Sequence, residues 1–317
     1  MDSSKTVSAQ TTQIGGEAEF DREAPRSNCS APASSTTSLA VRHYDLAATL
    51  TSGQAFRWRA DDDAWVGVIG RNWVRLRSRD STLLAETAAP VTDWNWLSEY
   101  LQPHLDLQSI IQTFPTDEPM QAAVKSCLGL RLLRQDPWEC LASFILSSTK
   151  QIIQIQQIIG LLCERFGEPM LVPPGQAPAH TFPSPARLAS ATNAGLRACK
   201  MGFRAPYLLA TAQEIADGKF DLNQLKTLPP ADARTALMQL PGVGRKIADC
   251  ILLFAYGFQS AFPVDVWVMK ALQQLYFPRR RVKLARLHEF AATHFGPNAG
   301  YAQQYLFHYV RTKREKL

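Results

Sequence analysis

Lys246 stands at the opening of an expected helix, directly after a glycine-rich turn, in Leu240-Pro241-Gly242-Val243-Gly244-Arg245-Lys246-Ile247-Ala248-Asp249-Cys250. An amine attacks carbon only after losing its proton, which desolvation and neighbouring positive charge favour. Lys246 has three such influences: a helix N-terminus, the adjacent Arg245 and an apolar helix suited to a core. As a plain cation it would instead hold a phosphate, although an exposed lysine in a first helical turn is electrostatically misplaced. A carboxylate follows in Phe262-Pro263-Val264-Asp265-Val266. Standing just before Val266-Trp267-Val268-Met269-Lys270, Asp265 is placed to cap a helix, and a capping carboxylate can still take up a proton or face a developing cation. Asp249, three residues after Lys246 and on the same helical face, is a rival for that role, and spacing does not choose between them.

The turn itself is suited to an anion. Asp232 to Gln239 reads as one short helix and Arg245 to Tyr256 as the next, with Ile247, Ile251 and Phe254 at helical spacing. Pro241, Gly242 and Gly244 make the turn between them, so bare N–H groups can approach a phosphate where the second helix presents its positive end. Gly242, Gly244 and Arg245 are therefore candidate contacts to a DNA backbone, which position a protein without reading sequence. An isolated Pro-Gly-x-Gly is more often only a helix–helix connection.

The full eleven-residue string resembles the helix-hairpin-helix signature of the DNA glycosylase superfamily, and Pro263-Val264-Asp265 resembles that superfamily's Pro-Val-Asp element. The resemblance implies that Lys246 attacks the sugar C1′ of a flipped nucleotide to give a Schiff base, with β-elimination at the abasic site to follow. It gives the catalytic carboxylate to Asp265, since the motif places the acid after Pro-Val, and leaves Asp249 as a structural partner.

Separate segments from near residue 40 to near residue 311 resemble 8-oxoguanine DNA glycosylases in particular. Thr51-Ser52-Gly53-Gln54-Ala55-Phe56-Arg57-Trp58 is similar to the segment whose glycine carbonyl accepts from N7–H of the oxidised base, which assigns lesion discrimination to Gly53. Phe295-Gly296-Pro297-Asn298-Ala299-Gly300-Tyr301-Ala302-Gln303-Gln304-Tyr305-Leu306-Phe307 resembles the closing segment of the family. Gln303 and Phe307, four apart, share a helix face. The resemblance makes Gln303 the partner of the Watson–Crick edge, and Phe307 and Cys250 the two walls of a base slot. Phe203-Arg204 resembles a wedge that fills the vacated stack and an arginine that reads the orphaned cytosine; flipping costs a few kcal/mol, so a plug is useful. In Ser147-Ser148-Thr149-Lys150-Gln151-Ile152-Ile153-Gln154 the chain departs from the eukaryotic form, which has asparagines near Thr149 and a second cytosine-reading arginine where Gln154 stands. Thr149 and Gln154 remain candidate DNA contacts, but one guanidinium fork is missing, so cytosine should be selected less sharply. Trp267 replaces a phosphate-contacting histidine of that form.

These groups need a scaffold. The chain has 317 residues, enough for about two domains. Residues 1–38, rich in Ser, Thr, Ala and Gln, read as a disordered tail. Residues 39–114 read as an antiparallel β-rich domain, with Phe56-Arg57-Trp58, Trp65-Val66-Gly67-Val68-Ile69 and Trp73-Val74-Arg75-Leu76 as strands. Residues 115–317 read as an all-helical domain, with stripes Trp138, Leu141, Ile145 and Ile152, Ile155, Ile159, Leu162. The fold class is thus α+β, with the active site in the cleft between the two.

A net charge of +6 suits a nucleic-acid partner without proving one. Six dispersed cysteines with no C-x-x-C indicate reduced thiols inside a cell, in cytoplasm or nucleoid if bacterial and in the nucleus if eukaryotic. They also lack the spacing of an iron–sulfur cluster. Neither metal nor organic cofactor is expected, nor a membrane segment, and the chain is read as a monomer. The expectation is a bifunctional glycosylase/AP lyase acting on oxidised purine in double-stranded DNA. The alternatives are an alkylpurine DNA glycosylase that uses water, which Lys246 disfavours, and a non-catalytic helix-hairpin-helix module, against which Lys246 and Asp265 together argue.

Overall fold

Alternating apolar residues between Ala64 and Thr87 build an antiparallel meander, seen in a computed structural model that describes residues 34–315. Strands β1 (Ser35–Ala40), β2 (Arg59–Asp61), β3 (Ala64–Ile69), β4 (Asn72–Arg79) and β5 (Thr82–Thr87) pair antiparallel in the order β1-β5-β4-β3-β2. Val74, Leu76, Leu83 and Ala85 are buried at every second position, so one sheet face is covered. It packs on α1 (Leu46–Thr51) and α2 (Asn95–Leu101) through Leu46, Leu50, Leu97 and Leu101.

Two expectations are corrected here. The tail read as ending at residue 38 ends earlier, because β1 starts at Ser35 and pairs Ser35 with Thr87 across the sheet edge. Backbone pairing, which a polar Ser-Thr run can satisfy, overrides the composition signal. The rest of that reading falls on residues 1–33, outside the described residues. Phe56-Arg57-Trp58 forms no strand: Phe56 and Trp58 turn inward to bury their rings, and Arg57 donates to Glu139 and the His180 carbonyl. Tertiary burial of the two rings decides that conformation.

From Asn95 onward the described elements are helical, apart from one isolated β-bridge. They are α3 (Leu107–Ile111), α4 (Glu118–Ser126), α5 (Pro137–Leu146), α6 (Ile152–Phe166), α7 (Pro185–Ala189), α8 (Asn193–Leu196) and α9 (Ala205–Ala216). α10 (Pro230–Leu237), α11 (Arg245–Ile251), α12 (Val266–Tyr276), α13 (Leu284–His294) and α14 (Ala299–Glu315) follow. Their starts are written in the sequence: Asp117, Asp136 and Ser184 each cap a helix that has proline in its first turn, where the missing N–H costs nothing. α11 runs on as a wider π-turn over Leu252–Tyr256 and stops at Gly257 in the left-handed region.

A non-helical connector, Leu130 to Asp136, locks sheet and helices together. Its buried N–H groups are taken by different elements: Arg131 N donates to Thr49 Oγ1 (3.0 Å), Leu132 N to the Tyr301 hydroxyl (3.3 Å), Leu133 N to Gln54 Oε1 (2.8 Å) and Gln135 N to the Phe254 carbonyl (2.8 Å). A buried backbone must find such partners, so this segment fixes α1, α14 and the α11 extension relative to one another.

Candidate active site

Hairpin geometry follows from two contacts. Gly242 has φ +77°, and a Cβ there would sit 2.7 Å from Tyr207 Cβ, so only glycine fits between turn and α9. Thr211 of α9 donates to the Pro241 carbonyl (3.0 Å), tying the turn from behind. Gly244 caps α11 with no side-chain hydrogen bond, and both Gly244 and Arg245 are exposed, so the first N–H groups of the helix face outward.

Asp249 lies between two arginines. It is buried, with Arg234 Nε of α10 at 2.5 Å and Arg245 Nε at 3.8 Å. Burial raises its carboxyl above the usual range, while the two guanidiniums pull the other way. The ion pair joins the two helices of the hairpin.

Lys246, one residue past Arg245, turns the opposite way. Its Nζ lies 5.0 Å from the Phe144 ring centre and donates to Ser147 Oγ (3.2 Å), both groups belonging to the end of α5. Phe144 stacks in turn on Phe254 at 5.5 Å, so one wall beside the amine is aromatic. Asp265 caps α12 as expected, accepting from Val268 N (2.7 Å). Burial pushes its carboxyl up; the Val268 N–H and the charge of Lys246 pull it partly back. A carboxylate raised in this way is a stronger proton acceptor than an exposed one.

α14 brings up the remaining groups. Its Gln304 Nε2 donates to the Ser52 carbonyl (2.7 Å) and Arg311 to the Thr51 carbonyl (2.6 Å), which pins the loop after α1 against it. Gln54 secures the same loop through Thr49, Ser52 and the connector at Arg131. Gly53 therefore sits at φ +78° beside Phe307, where a Cβ would lie 3.3 Å from Phe307 Cε1 and 3.0 Å from Ile152 Cδ1. Lys246, Asp265, Gly53, Cys250, Gln303 and Phe307 all line one cavity of about 50 Å³, completed by Phe144, Phe254, Pro263 and Gln304. Six residues spread over 255 positions of sequence converge on one small chamber.

Two of these groups have telling electrostatics. Burial pushes the Cys250 thiol up to about 12, so it is neutral near pH 7 and serves as a polarisable wall rather than a nucleophile. Gln303 is buried, and its Oε1 has no hydrogen-bond partner. An orphaned acceptor at a cavity wall is costly unless something with a donor comes to it.

The remaining expected contacts lie elsewhere. Phe203 is 57 % exposed, as a wedge must be. Arg204, expected to read the orphaned cytosine, is 2 % exposed. It packs on Phe203 at 4.2 Å and donates to the carbonyls of Ser148 and Met201 and to Thr149 Oγ1. Thr149 is exposed at φ 58°. Gln154 is exposed too, but its Oε1 accepts from Gln151 N (3.2 Å) and helps cap α6. Trp267 is partly exposed, with Lys270 Nζ 5.8 Å from its ring centre. A larger groove of about 580 Å³ lies between the sheet, α6 and Ala177–His180, but both arginines that line it are already paired, Arg57 with Glu139 and Arg59 with Asp61.

Sequence reasoning missed Ser147, Phe144 and Arg234. Ser147 lies 99 residues from Lys246, and nothing local marks it as a partner. Arg234 had a faint signal, since a buried Asp249 needs a cation on the facing helix.

Comparison with known proteins gives a coherent result. A family model described as 8-oxoguanine DNA glycosylase, N-terminal domain, matches residues 38–141, and one described as HhH-GPD superfamily base excision DNA repair protein matches residues 142–293. A probable N-glycosylase/DNA lyase of Methanothermobacter thermautotrophicus is 30 % identical over 309 residues, covering 86 % of this chain and 95 % of that protein. The N-glycosylase/DNA lyase OGG1 of Arabidopsis thaliana is 31 % identical, covering 85 % of this chain and 78 % of that one. Among solved structures, the Clostridium acetobutylicum 8-oxoguanine glycosylase/lyase with double-stranded DNA carrying cytosine opposite 8-oxoguanine is 31 % identical. It superposes with a TM-score of 0.80, covering 86 % of this chain and 93 % of that one.

Proposed function

Because this chain belongs to the 8-oxoguanine DNA glycosylases of the HhH-GPD superfamily, we propose that Lys246 and Asp265 are its reacting pair, in the chamber that Gly53, Cys250, Gln303 and Phe307 complete. The protein is a DNA N-glycosylase with AP lyase activity that removes 8-oxoguanine from double-stranded DNA. The observation that carries the residue assignment is the convergence of lysine, half-buried aspartate and an unpartnered glutamine oxygen on one cavity.

The chemistry follows from those positions. Phe203 enters the stack as the damaged nucleotide leaves it, and the hairpin N–H groups of Gly242, Gly244 and Arg245 hold the backbone. The base slides between Cys250 and Phe307, where Gln303 accepts from its Watson–Crick edge and the Gly53 carbonyl accepts from N7–H. Ordinary guanine has a bare N7, which would set two acceptors face to face. Asp265 takes a proton from the Lys246 amine and passes it on to the departing base, so that the carboxylate regains the negative charge that faces the positive charge developing on the sugar. The Lys246 nitrogen bonds to C1′ as the C1′–N9 bond breaks and the electron pair leaves with the base. Ring opening yields the imine, and loss of a C2′ proton expels the 3′ phosphate. The reading extends to a monomer acting inside the cell, where duplex DNA is found.

Borohydride reduction of the imine tests the nucleophile. Parent protein incubated with duplex containing 8-oxoguanine is expected to give a stable protein–DNA adduct, and Lys246→Gln to give none. An undiminished adduct in Lys246→Gln refutes the assignment; base release with no adduct in the parent points to a water-using enzyme.

A further inference from the structure

Ser147, Ser148 and Thr149 link Lys246 to Arg204, which the family resemblance makes the reader of the orphaned cytosine. Arg204, on the side of the orphaned base, donates to the Ser148 carbonyl and to Thr149 Oγ1 (2.5 Å). Lys246, on the side of the lesion, donates to Ser147 Oγ (3.2 Å). Ser147 Oγ itself donates to the Phe144 carbonyl (2.7 Å), so its proton is spent and its oxygen faces the lysine as an acceptor. The turn between these anchors is closed by Lys150 N donating to the Ser147 carbonyl (3.2 Å). At its centre Thr149 has φ 58°, a left-handed conformation that costs a β-branched residue about 1 kcal/mol or more. Two donations from one buried guanidinium hold that conformation in place.

We propose that this turn couples recognition of the opposite base to release of the nucleophile, with Thr149 as a specificity-determining residue that competes with the orphaned base for Arg204. The proposal rests on the glycosylase reading above. With no base to read, Arg204 stays on Thr149, the turn stays strained, and Ser147 retains the Lys246 amine. Cytosine offers a guanidinium two adjacent acceptors, O2 and N3, and so repays both lost bonds. Adenine and guanine each present a donor beside their acceptor, and the two acceptors of thymine are separated by N3–H. With these three Arg204 remains parked. Once it leaves, the strained turn loses its support and relaxes, and Ser147, two residues along, gives up the lysine. Gln154 supplies no second guanidinium, so this discrimination passes through Arg204.

The test is single-turnover release of 8-oxoguanine opposite each of the four bases by the full-length protein, with Thr149→Val, Thr149→Ser, Ser147→Ala and the Thr149→Val/Ser147→Ala double variant. Losing one charge-assisted hydrogen bond shifts a balance by about tenfold. The ratio of cytosine-opposite to adenine-opposite rate is expected to fall by about that factor in Thr149→Val, and to return to the parent value in Thr149→Ser. Ser147→Ala is expected to lower the same ratio, and the double variant to lower it no further, as two ends of one linkage must. A ratio unmoved by either single change, or two effects that multiply, overturns the proposal. Affinity for duplex with a tetrahydrofuran abasic analogue opposite each base separates this from failure of the glycosylase reading. A parent that releases no base refutes that reading, while a cytosine preference in binding that survives Thr149→Val refutes the competition for Arg204.

Discussion

Asp265→Asn separates the two tasks of one side chain. As N-cap it accepts from Val268 N at 2.7 Å, and asparagine caps about as well as aspartate, so the substitution changes cap stability by less than about 0.5 kcal/mol. Asp265→Ala removes the acceptor and costs about 1 kcal/mol, roughly 2 °C in Tm for a chain of this size. The charge works in the other direction. Burial raises the folded carboxyl above its unfolded value, so folding favours the protonated form. The stability this lends is fully present below the ordinary carboxylate range and is lost as pH rises through the raised folded value. Above that raised value the parent carries a destabilising ionised group that asparagine lacks. Asp265→Asn should melt no lower than the parent at neutral pH, and its advantage should vanish in acid. Its chemistry should nonetheless fail, since asparagine can neither take the lysine proton nor face a cation with negative charge; a loss of about 10²–10⁴ in single-turnover rate is expected. Thermal melts between acid and neutral pH, beside 8-oxoguanine release opposite cytosine, measure both. An asparagine variant that keeps a rate within about threefold of the parent would reduce Asp265 to a cap and overturn the reasoning.

Gly53→Ala should lower Tm by about 2 °C, from about 1 kcal/mol of left-handed strain, and slow base release by about tenfold, because its methyl must displace Ile152 or the Phe307 ring that bounds the slot. Full activity with an unchanged melt would remove Gly53 from the slot. Asp249→Ala strands Arg234, whose side chain is 22 % exposed and thus partly served by water, so a loss of about 1–3 kcal/mol is expected, with borohydride trapping through Lys246 intact. Lost trapping in a protein of parental stability would make Asp249, after all, the catalytic acid.

What could be read from the sequence was what local chemistry dictates. The hairpin turn was visible because Gly242 and Gly244 have few other uses beside a proline, and the α12 cap because Asp265 precedes an apolar helical stripe. The strand expected at Phe56-Arg57-Trp58 was wrong because aromatic content cannot distinguish a strand from a turn that buries two rings. The contacts of Arg204 were not legible for a related reason. Its acceptors lie in a turn 55 and 56 residues away, and a long-range hydrogen bond leaves no periodicity behind. Residues of the slot drew their roles from resemblance, since Cys250 and Phe307 taken singly look like ordinary core.

The size of the chamber bears on how it works. About 50 Å³ admits a few waters, at roughly 10–15 Å³ each, and no purine, so a wall must move before the base enters. Gly53 is held through its neighbours Gln54 and Ser52, and Cys250 lies within the packed α11. Phe307 alone of the slot's two walls is only half-buried, which makes its ring the movable one. No protein group donates to Gln303 Oε1, so this acceptor is open to a donor that enters the chamber. The Watson–Crick edge of a guanine-type base carries N1–H and an exocyclic amine and so supplies that donor, whereas an adenine edge places an acceptor at N1. Gln303 thus favours a guanine-type edge, while Gly53 reports separately whether N7 bears a proton; two weak tests on different edges of one base give a discrimination that neither contact supplies by itself.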